Sequence, residues 1–163
     1  TAVKDYYDMD EKTFASTNEA NLELALNLDL GSSEFVYVRG KLMIKINPIY
    51  FDLDKSYIRP DAELELERVV RIMQKYPELK INLGSHTDSR ARDAYNWSLS
   101  TRRARSSKNW IVRQGIDPSR IKAEGFGETE LVNKCSNGVN CSEDDHQLNR
   151  RTEFVIVNPE VIK

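Results

Sequence analysis

The protein has 163 residues, of which 39% are hydrophobic and 31% are charged. This composition supports one folded domain and excludes a disordered or collagen-like chain. The 24 basic and 26 acidic residues give a net charge of −2, and no segment approaches the roughly 20 consecutive apolar residues of a membrane-spanning helix. Residues 90–120 nevertheless carry eight bases and two acids, a locally basic region that can attract an anion.

Residues 1–40 are predicted to be an acidic lead-in or linker before a domain that spans residues 41–163. They carry eight acids and three bases, and the first 20 residues show no sustained hydrophobic period. From residue 21 to 30, leucines alternate with polar residues, which is the period of a strand with one apolar face. We therefore expect an extra strand within the lead-in.

Two strands and a helix are predicted at the start of the main domain. Residues 42–46 alternate between apolar and polar side chains up to Pro48, and a second strand is expected through residues 49–51. The period then changes to that of an amphipathic helix between residues 60 and 77. Its apolar stripe consists of Ala62, Leu66, Val69, Val70 and Met73.

The rest of the chain predicts three more strands and a second helix. Residues 79–83 alternate again as a strand, and a helix is expected from about residue 93 to 114, ended by Gly115. A short strand is predicted at Ile121 and Ala123, leading into Gly125-Phe126-Gly127, and a last strand at residues 153–157 follows a polar loop.

These elements predict the fold class. From residue 42 the order is strand, helix, strand, helix, strand, loop, strand. Because strand–helix–strand crossovers are right-handed in nearly all proteins, both helices should lie on the same face of the sheet. The prediction is an α+β fold, an α/β two-layer sandwich of βαβαββ order with a mixed sheet and two main helices on one face.

Polar residues follow the strand at 79–85, in the segment Ser85-His86-Thr87-Asp88, where α/β folds usually bind ligands. Asn96 and Arg103 come next on the predicted helix. Being seven residues apart, they differ by only about 20° in direction and share one face. If the turn brings Asp88 near Arg103, the pair can bind a ligand that carries an ammonium and a carboxylate. The alternative is an ordinary surface ion pair of about 0–1 kcal/mol.

Five segments together resemble a known family. They are Ile49-Tyr50-Phe51-Asp52, Ser85-His86-Thr87-Asp88, Asn96 with Leu99-Ser100-x-x-Arg103-Ala104, Gly125-Phe126-Gly127-Glu128 and Asn149-Arg150-Arg151. In order and spacing, over about residues 43–158, they resemble the OmpA-like peptidoglycan-binding domain shared by OmpA, Pal and MotB. The resemblance implies a periplasmic, non-enzymatic domain that binds peptidoglycan non-covalently through diaminopimelate. Such a domain would anchor a larger outer-membrane-associated protein or secretion-apparatus component, here of the Bacteroidota type.

The resemblance also implies roles for individual residues. Asp88 is expected to bind the ammonium of diaminopimelate, and Arg103 its carboxylate. Supporting contacts are expected from Thr87, Asn96 and Arg151. Residues 90–92, Arg-Ala-Arg, depart from the family, because many members have a glycine in this turn. No cofactor is implied, and the expected partners are peptidoglycan and other envelope proteins.

Cys135 and Cys141 lie in the polar loop. Because the resemblance implies export to an oxidising compartment, we expect a disulfide between them. A metal site with His146, or with His86, is the alternative, although Cys-x5-Cys-x4-His lacks the tight spacing of structural zinc sites.

Two other functions compete with wall binding. A metal-dependent or His86-dependent wall hydrolase would use the histidines and cysteines, but no nucleophile motif accompanies His86. Nucleic-acid binding would use the basic region, but the net charge of −2 and the lack of a basic fold motif argue against it. The prediction is a binding domain with no catalytic residue and no nucleic-acid partner.

Overall fold

A computed structural model describes residues 34–162 of the protein. Within this range, five strands form one mixed sheet: β1 (Phe35–Val38), β2 (Lys41–Ile44), β3 (Ile81–His86), β4 (Ile121–Gly127) and β5 (Thr152–Ile156). The helices of the same range are α1 (Pro60–Lys75), α2 (Asp93–Arg113) and α3 (Glu143–Asn149), with 3₁₀ turns at Pro118–Arg120 and Pro159–Val161. None of the helices in residues 34–162 is long and apolar enough to cross a bilayer.

The sheet has the strand order β1-β2-β5-β3-β4. Strands β3 and β4 run parallel, and the other neighbouring pairs are antiparallel. Helices α1 and α2 pack on the same face and share one core with the sheet. Fully buried members of this core include Leu66, Val69, Met73, Leu83, Ile111, Ile121 and Phe154. The predicted fold class is confirmed: a mixed sheet with two main helices on one face.

Two local predictions were wrong. Residues 49–51 form no strand, because the segment after Pro48 leaves the sheet and crosses towards α2, where Arg103 donates hydrogen bonds to the backbone of residues 52–55. The polar loop before β5 contains α3. Its start was signalled by a capping box in which Ser142 and Asp145 exchange hydrogen bonds.

The N-terminal predictions have different outcomes. The strand expected at residues 21–30 lies outside the described residues. Strand β1, although it precedes residue 41, forms the edge of the sheet and pairs with β2. The domain boundary at residue 40 stays a prediction.

Helix α2 approaches β4 closely enough that only glycine fits at position 125. A Cβ atom there would lie 2.2 Å from the backbone nitrogen of Thr101 and 2.6 Å from the carbonyl carbon of Ser100, distances that no real contact allows. The helix backbone therefore rests directly on the strand backbone. This contact sets the position of the α2 segment that carries Asn96 and Arg103.

We expect Gly125→Ala to lower the free energy of unfolding by at least about 3 kcal/mol, because a clash between two backbones cannot be relieved by rotating a side chain. Urea unfolding at neutral pH measures this change. The matched control is Gly115→Ala, at a left-handed φ of +97° with no atom within 4 Å of the added Cβ, where about 1–2 kcal/mol is expected. An equal or smaller loss at Gly125 would contradict the close-approach argument.

Candidate functional site

A cleft opens at one end of the two central strands, where β3 ends and β5 begins. These strands are antiparallel, so that Ser85 pairs with Thr152, and their hydroxyl oxygens lie 2.9 Å apart at the cleft floor. The cavity in this cleft is small, about 60 Å³, well below the roughly 300–1,000 Å³ of sites that enclose a drug-sized ligand. Its walls include the polar and aromatic side chains of Tyr50, Phe51, Arg103, Gln147, Arg150 and Arg151.

Arg103 projects from α2 into this cleft and is 9% exposed. Its Nε donates to the carbonyl oxygen of Lys55 at 3.1 Å, and its Nη2 donates to that of Asp52 at 3.3 Å. The guanidinium carbon lies 4.9 Å from the centre of the Phe51 ring, within cation–π range. Burial lowers the pKa of Arg103, but the group remains charged. These described contacts use two of its five N–H donors.

Asp88 lies in the turn after β3 and is 8% exposed. Its Oδ2 accepts hydrogen bonds from Arg90 Nη2 at 2.8 Å and from Arg150 Nη1 at 2.6 Å, while its Oδ1 accepts from the backbone N–H of Arg90 at 3.1 Å. Burial alone would raise the pKa of Asp88, but the hydrogen bonds from Arg90 and Arg150 outweigh it and lower the pKa to about 2. The carboxylate is therefore ionised at neutral pH.

Arg150 connects Asp88 to the cleft. It lines the cleft beside Arg103, and it binds Asp88 and also Glu143, whose Oε1 lies 2.5 Å from Arg150 Nη2. Asp88 thus does not line the cleft itself, but it contacts Arg150, which does. Sequence reasoning did not single out Arg150, because this residue caps α3, the helix that was predicted as loop.

Asn96 and Thr87 stabilise the turn that carries Asp88. Asn96 is 3% exposed, and its Nδ2 donates to the backbone oxygen of Asp88 at 3.1 Å and to Glu128 Oε2 at 2.6 Å. The backbone N–H of Thr87 donates to the carbonyl oxygen of Gly127 at 2.8 Å. Both residues hold the turn against β4, and neither side chain lines the cleft.

Arg151 lines the cleft and is anchored by Glu153, whose Oε1 accepts from Arg151 Nε at 2.7 Å. His86 lies in the same group, with Nε2 3.7 Å from Glu153 Oε2 and its ring stacked on Phe126. Burial, followed by the charge of Arg151, lowers the pKa of His86 to about 3. His86 is therefore a neutral, buried side chain at physiological pH.

The disulfide predicted between Cys135 and Cys141 is confirmed. It closes the loop that packs on the Asp88 turn, where Ser89 Oγ donates to the carbonyl oxygen of Cys135 at 2.5 Å. Within residues 34–162, one group of three potential metal ligands converges, formed by the two cysteines and Asp145. Because both sulfur atoms are bonded to each other, this group has no thiolate to offer a metal ion.

The sequence is similar to several envelope proteins and to one photosystem subunit. It is 38% identical over 116 residues to outer membrane porin F of Pseudomonas fluorescens, covering 71% of this chain and 32% of the porin. It is 33% identical over 87 residues to the peptidoglycan-associated lipoprotein of Brucella melitensis, covering 53% of this chain and 52% of the lipoprotein. A photosystem I P700 chlorophyll a apoprotein A2 of Gloeobacter violaceus is 39% identical over 119 residues, 72% of this chain but 14% of that protein. The chain thus spans about half, or less, of these relatives.

The fold is shared with solved structures of cell-wall-associated proteins. The peptidoglycan-associated lipoprotein of Burkholderia pseudomallei superposes with a TM-score of 0.60 at 22% identity, over 69% of this chain and 91% of that one. The cell wall anchor of the Pseudomonas aeruginosa T6SS superposes with a TM-score of 0.56 at 25% identity, over 71% of this chain and 78% of that one.

Residues 50–144 of the sequence match the sequence model of the OmpA family. This range includes the turn with Asp88 and the helix with Arg103, and it makes up more than half of the sequence. The chain therefore belongs to the OmpA family.

Proposed function

We propose that this domain binds cell-wall peptidoglycan non-covalently, through the diaminopimelate of the stem peptide, and so anchors a larger envelope protein to the wall. One observation carries the proposal: the described partners of the buried Arg103 guanidinium are carbonyl oxygens. The neighbouring Arg150 and Arg151, in contrast, are paired with carboxylates. Arg103 is the cleft cation whose counter-charge a ligand can supply.

The free end of diaminopimelate carries an ammonium and a carboxylate on the same carbon atom. The planar guanidinium of Arg103 suits two parallel hydrogen bonds to the carboxylate, and the low polarity of a buried site strengthens them. Lysine, which replaces diaminopimelate in other walls, has the ammonium but lacks the second carboxylate. Arg103 is therefore the residue that distinguishes the two wall types.

Asp88 has room for the ammonium. Its Oδ2 is occupied by Arg90 and Arg150, but Oδ1 accepts a single backbone N–H. Each carboxylate oxygen can accept about two hydrogen bonds, so Oδ1 retains one acceptor position.

The site supports binding rather than hydrolysis. His86, the candidate general base, is buried and neutral with a pKa of about 3, far below the operating range of a base at neutral pH. The cysteines of the alternative metal site are bonded to each other. We accordingly propose no catalytic step for this domain.

The names of similar proteins support the envelope location. Two of them are peptidoglycan-associated lipoproteins, and one is a cell wall anchor of a secretion system. We propose a periplasmic domain, associated with the outer membrane and the wall, within a longer protein. The Bacteroidota origin stays a prediction.

Co-sedimentation with purified diaminopimelate-type sacculi tests the ligand. Wild type should pellet with the sacculi, and both Asp88→Asn and Arg103→Lys should weaken binding roughly 30-fold or more. Asp88→Asn removes the charge that pairs with the ammonium, and Arg103→Lys keeps the charge but loses the planar pair of donors for the carboxylate. Lysine is chosen at position 103 because Arg103 also braces residues 52–55, so that alanine would loosen this loop. Free meso-diaminopimelate should compete with the sacculi, and free lysine should not.

The matched control is Arg102→Lys, one residue away on α2, where the side chain is exposed and donates to Ser98. It makes the same substitution on the same helix and should leave binding unchanged. Equal binding to lysine-type sacculi would refute the role of Arg103. Wild type remaining in the supernatant would refute peptidoglycan binding itself.

We also expect binding of a diaminopimelate tripeptide to be almost constant from pH 7 to about pH 4. The lowered pKa of Asp88, about 2, keeps the carboxylate charged even where an ordinary aspartate becomes protonated, so affinity should fall only as the pH approaches 2. His86, with a pKa of about 3, stays neutral over the same interval. Isothermal titration calorimetry at pH 7, 5 and 4 measures this, with circular dichroism as the control for folding. A tenfold loss between pH 7 and 5 would contradict it.

A further inference from the structure

Four aromatic side chains in residues 34–162 are exposed to solvent, and three of them belong to the segment of residues 50–57 or bind it. Tyr50 is 40% exposed, Tyr57 54% and Tyr95 38%. Tyr50 lines the cleft, and Tyr57 belongs to the segment whose backbone holds Arg103. We call these three residues the tyrosine rim. The fourth exposed aromatic residue is Trp97.

Two members of the rim are held in place by acidic residues of one loop. The Tyr57 hydroxyl donates to Asp52 Oδ2, and the Tyr95 hydroxyl donates to Asp54 Oδ1. These bonds fix the ring orientations while leaving much of each ring in water. Rigid exposed aromatic side chains lose little conformational entropy when they bind a partner, so the rim is organised as a contact surface.

The rim is continuous with the Arg103 cleft. Loop residues Asp52 and Lys55 accept the hydrogen bonds of Arg103 through their carbonyl oxygens, and Tyr95 lies eight residues before Arg103 on the same helix. A diaminopimelate in the cleft is separated from the glycan by two stem-peptide residues. An extended residue spans about 3.6 Å, and the γ-linked glutamate and the lactyl group add further backbone atoms, so that the sugars lie within roughly 15 Å of its backbone.

We propose that the tyrosine rim binds the glycan of peptidoglycan, as a second subsite beside the cleft; this inference rests on the proposed function. Sugar rings present flat C–H faces that pack on aromatic rings, and their hydroxyls donate to carboxylates such as Asp52 and Asp54. The N-acetylated sugars of the wall carry no charge once the lactyl group is joined to the peptide. They therefore suit a loop whose charges are partly paired within the protein, since Asp52 forms an ion pair with Arg59 at 3.0 Å.

Calorimetry with two ligands that share one peptide tests this subsite. The first is the tripeptide L-Ala-γ-D-Glu-meso-diaminopimelate, and the second is the same tripeptide joined to the N-acetylglucosamine–N-acetylmuramic acid disaccharide. Wild type should bind the disaccharide form roughly three- to tenfold more tightly, as expected for one or two aromatic contacts. The double variant Tyr57→Ala with Tyr95→Ala should reduce this ratio to about one and retain its affinity for the tripeptide.

Two controls separate stacking from other effects. Tyr57→Phe with Tyr95→Phe keeps both rings and should retain most of the affinity ratio. Trp97→Ala removes an aromatic residue that is 60% exposed and lies about 200° around α2 from Tyr95, and it should leave the ratio unchanged. Thermal unfolding of each variant confirms that the fold persists.

The outcomes distinguish this inference from the function on which it rests. Equal affinity of wild type for both ligands, or a ratio that survives in the Tyr→Ala double variant, would overturn the glycan subsite and leave diaminopimelate binding intact. Arg103→Lys should weaken both ligands by the same factor. Failure of wild type to bind either ligand would overturn both proposals.

Discussion

The direct contact between the backbones of α2 and β4 at Gly125 determines the geometry of the site. No side chain separates the helix from the strand there, since an added Cβ would lie 2.2 Å from the Thr101 nitrogen. The helix is therefore fixed in both distance and rotation relative to the sheet. Asn96 then reaches the Asp88 turn, and Arg103 reaches the cleft. A larger residue at position 125 would displace both side chains together.

This rigid frame allows several charges to be buried close to one another. Each buried ion loses hydration free energy, which its partners must offset. The charges of Arg150 and Arg151 are compensated by the carboxylates of Asp88 and Glu153. The guanidinium of Arg103 instead contacts backbone carbonyl oxygens and the Phe51 ring. The cleft therefore holds a cation that is less fully compensated than its neighbours. In the proposed function a ligand carboxylate supplies that compensation, so that affinity and specificity would both depend on Arg103.

The sequence predicted the elements that have a regular hydrophobic period. Helix α1 shows the stripe of an amphipathic helix, and strands β2 to β5 were expected near their observed positions. Residues 49–51 have strand-like composition but leave the sheet to cover Arg103, a tertiary contact that no local pattern reveals. Helix α3 has seven residues and a mostly polar sequence, so that the Ser142 capping box was its main signal. Because α3 was missed, Arg150 and its link to Asp88 could not be predicted.

The Arg-Ala-Arg turn shows how a departure from the resemblance is accommodated. Many similar domains are expected to have a glycine after the aspartate, whereas here Arg90 folds back so that both its backbone and its guanidinium bind Asp88. The turn is further held by Ser89, through the disulfide loop, and by Asn96. Side-chain contacts thus maintain the shape of this turn, which does not depend on the wider range of backbone angles that a glycine allows. The same Arg90 contact keeps Asp88 ionised but occupies Oδ2, which leaves Oδ1 as the acceptor for the ammonium of the proposed ligand.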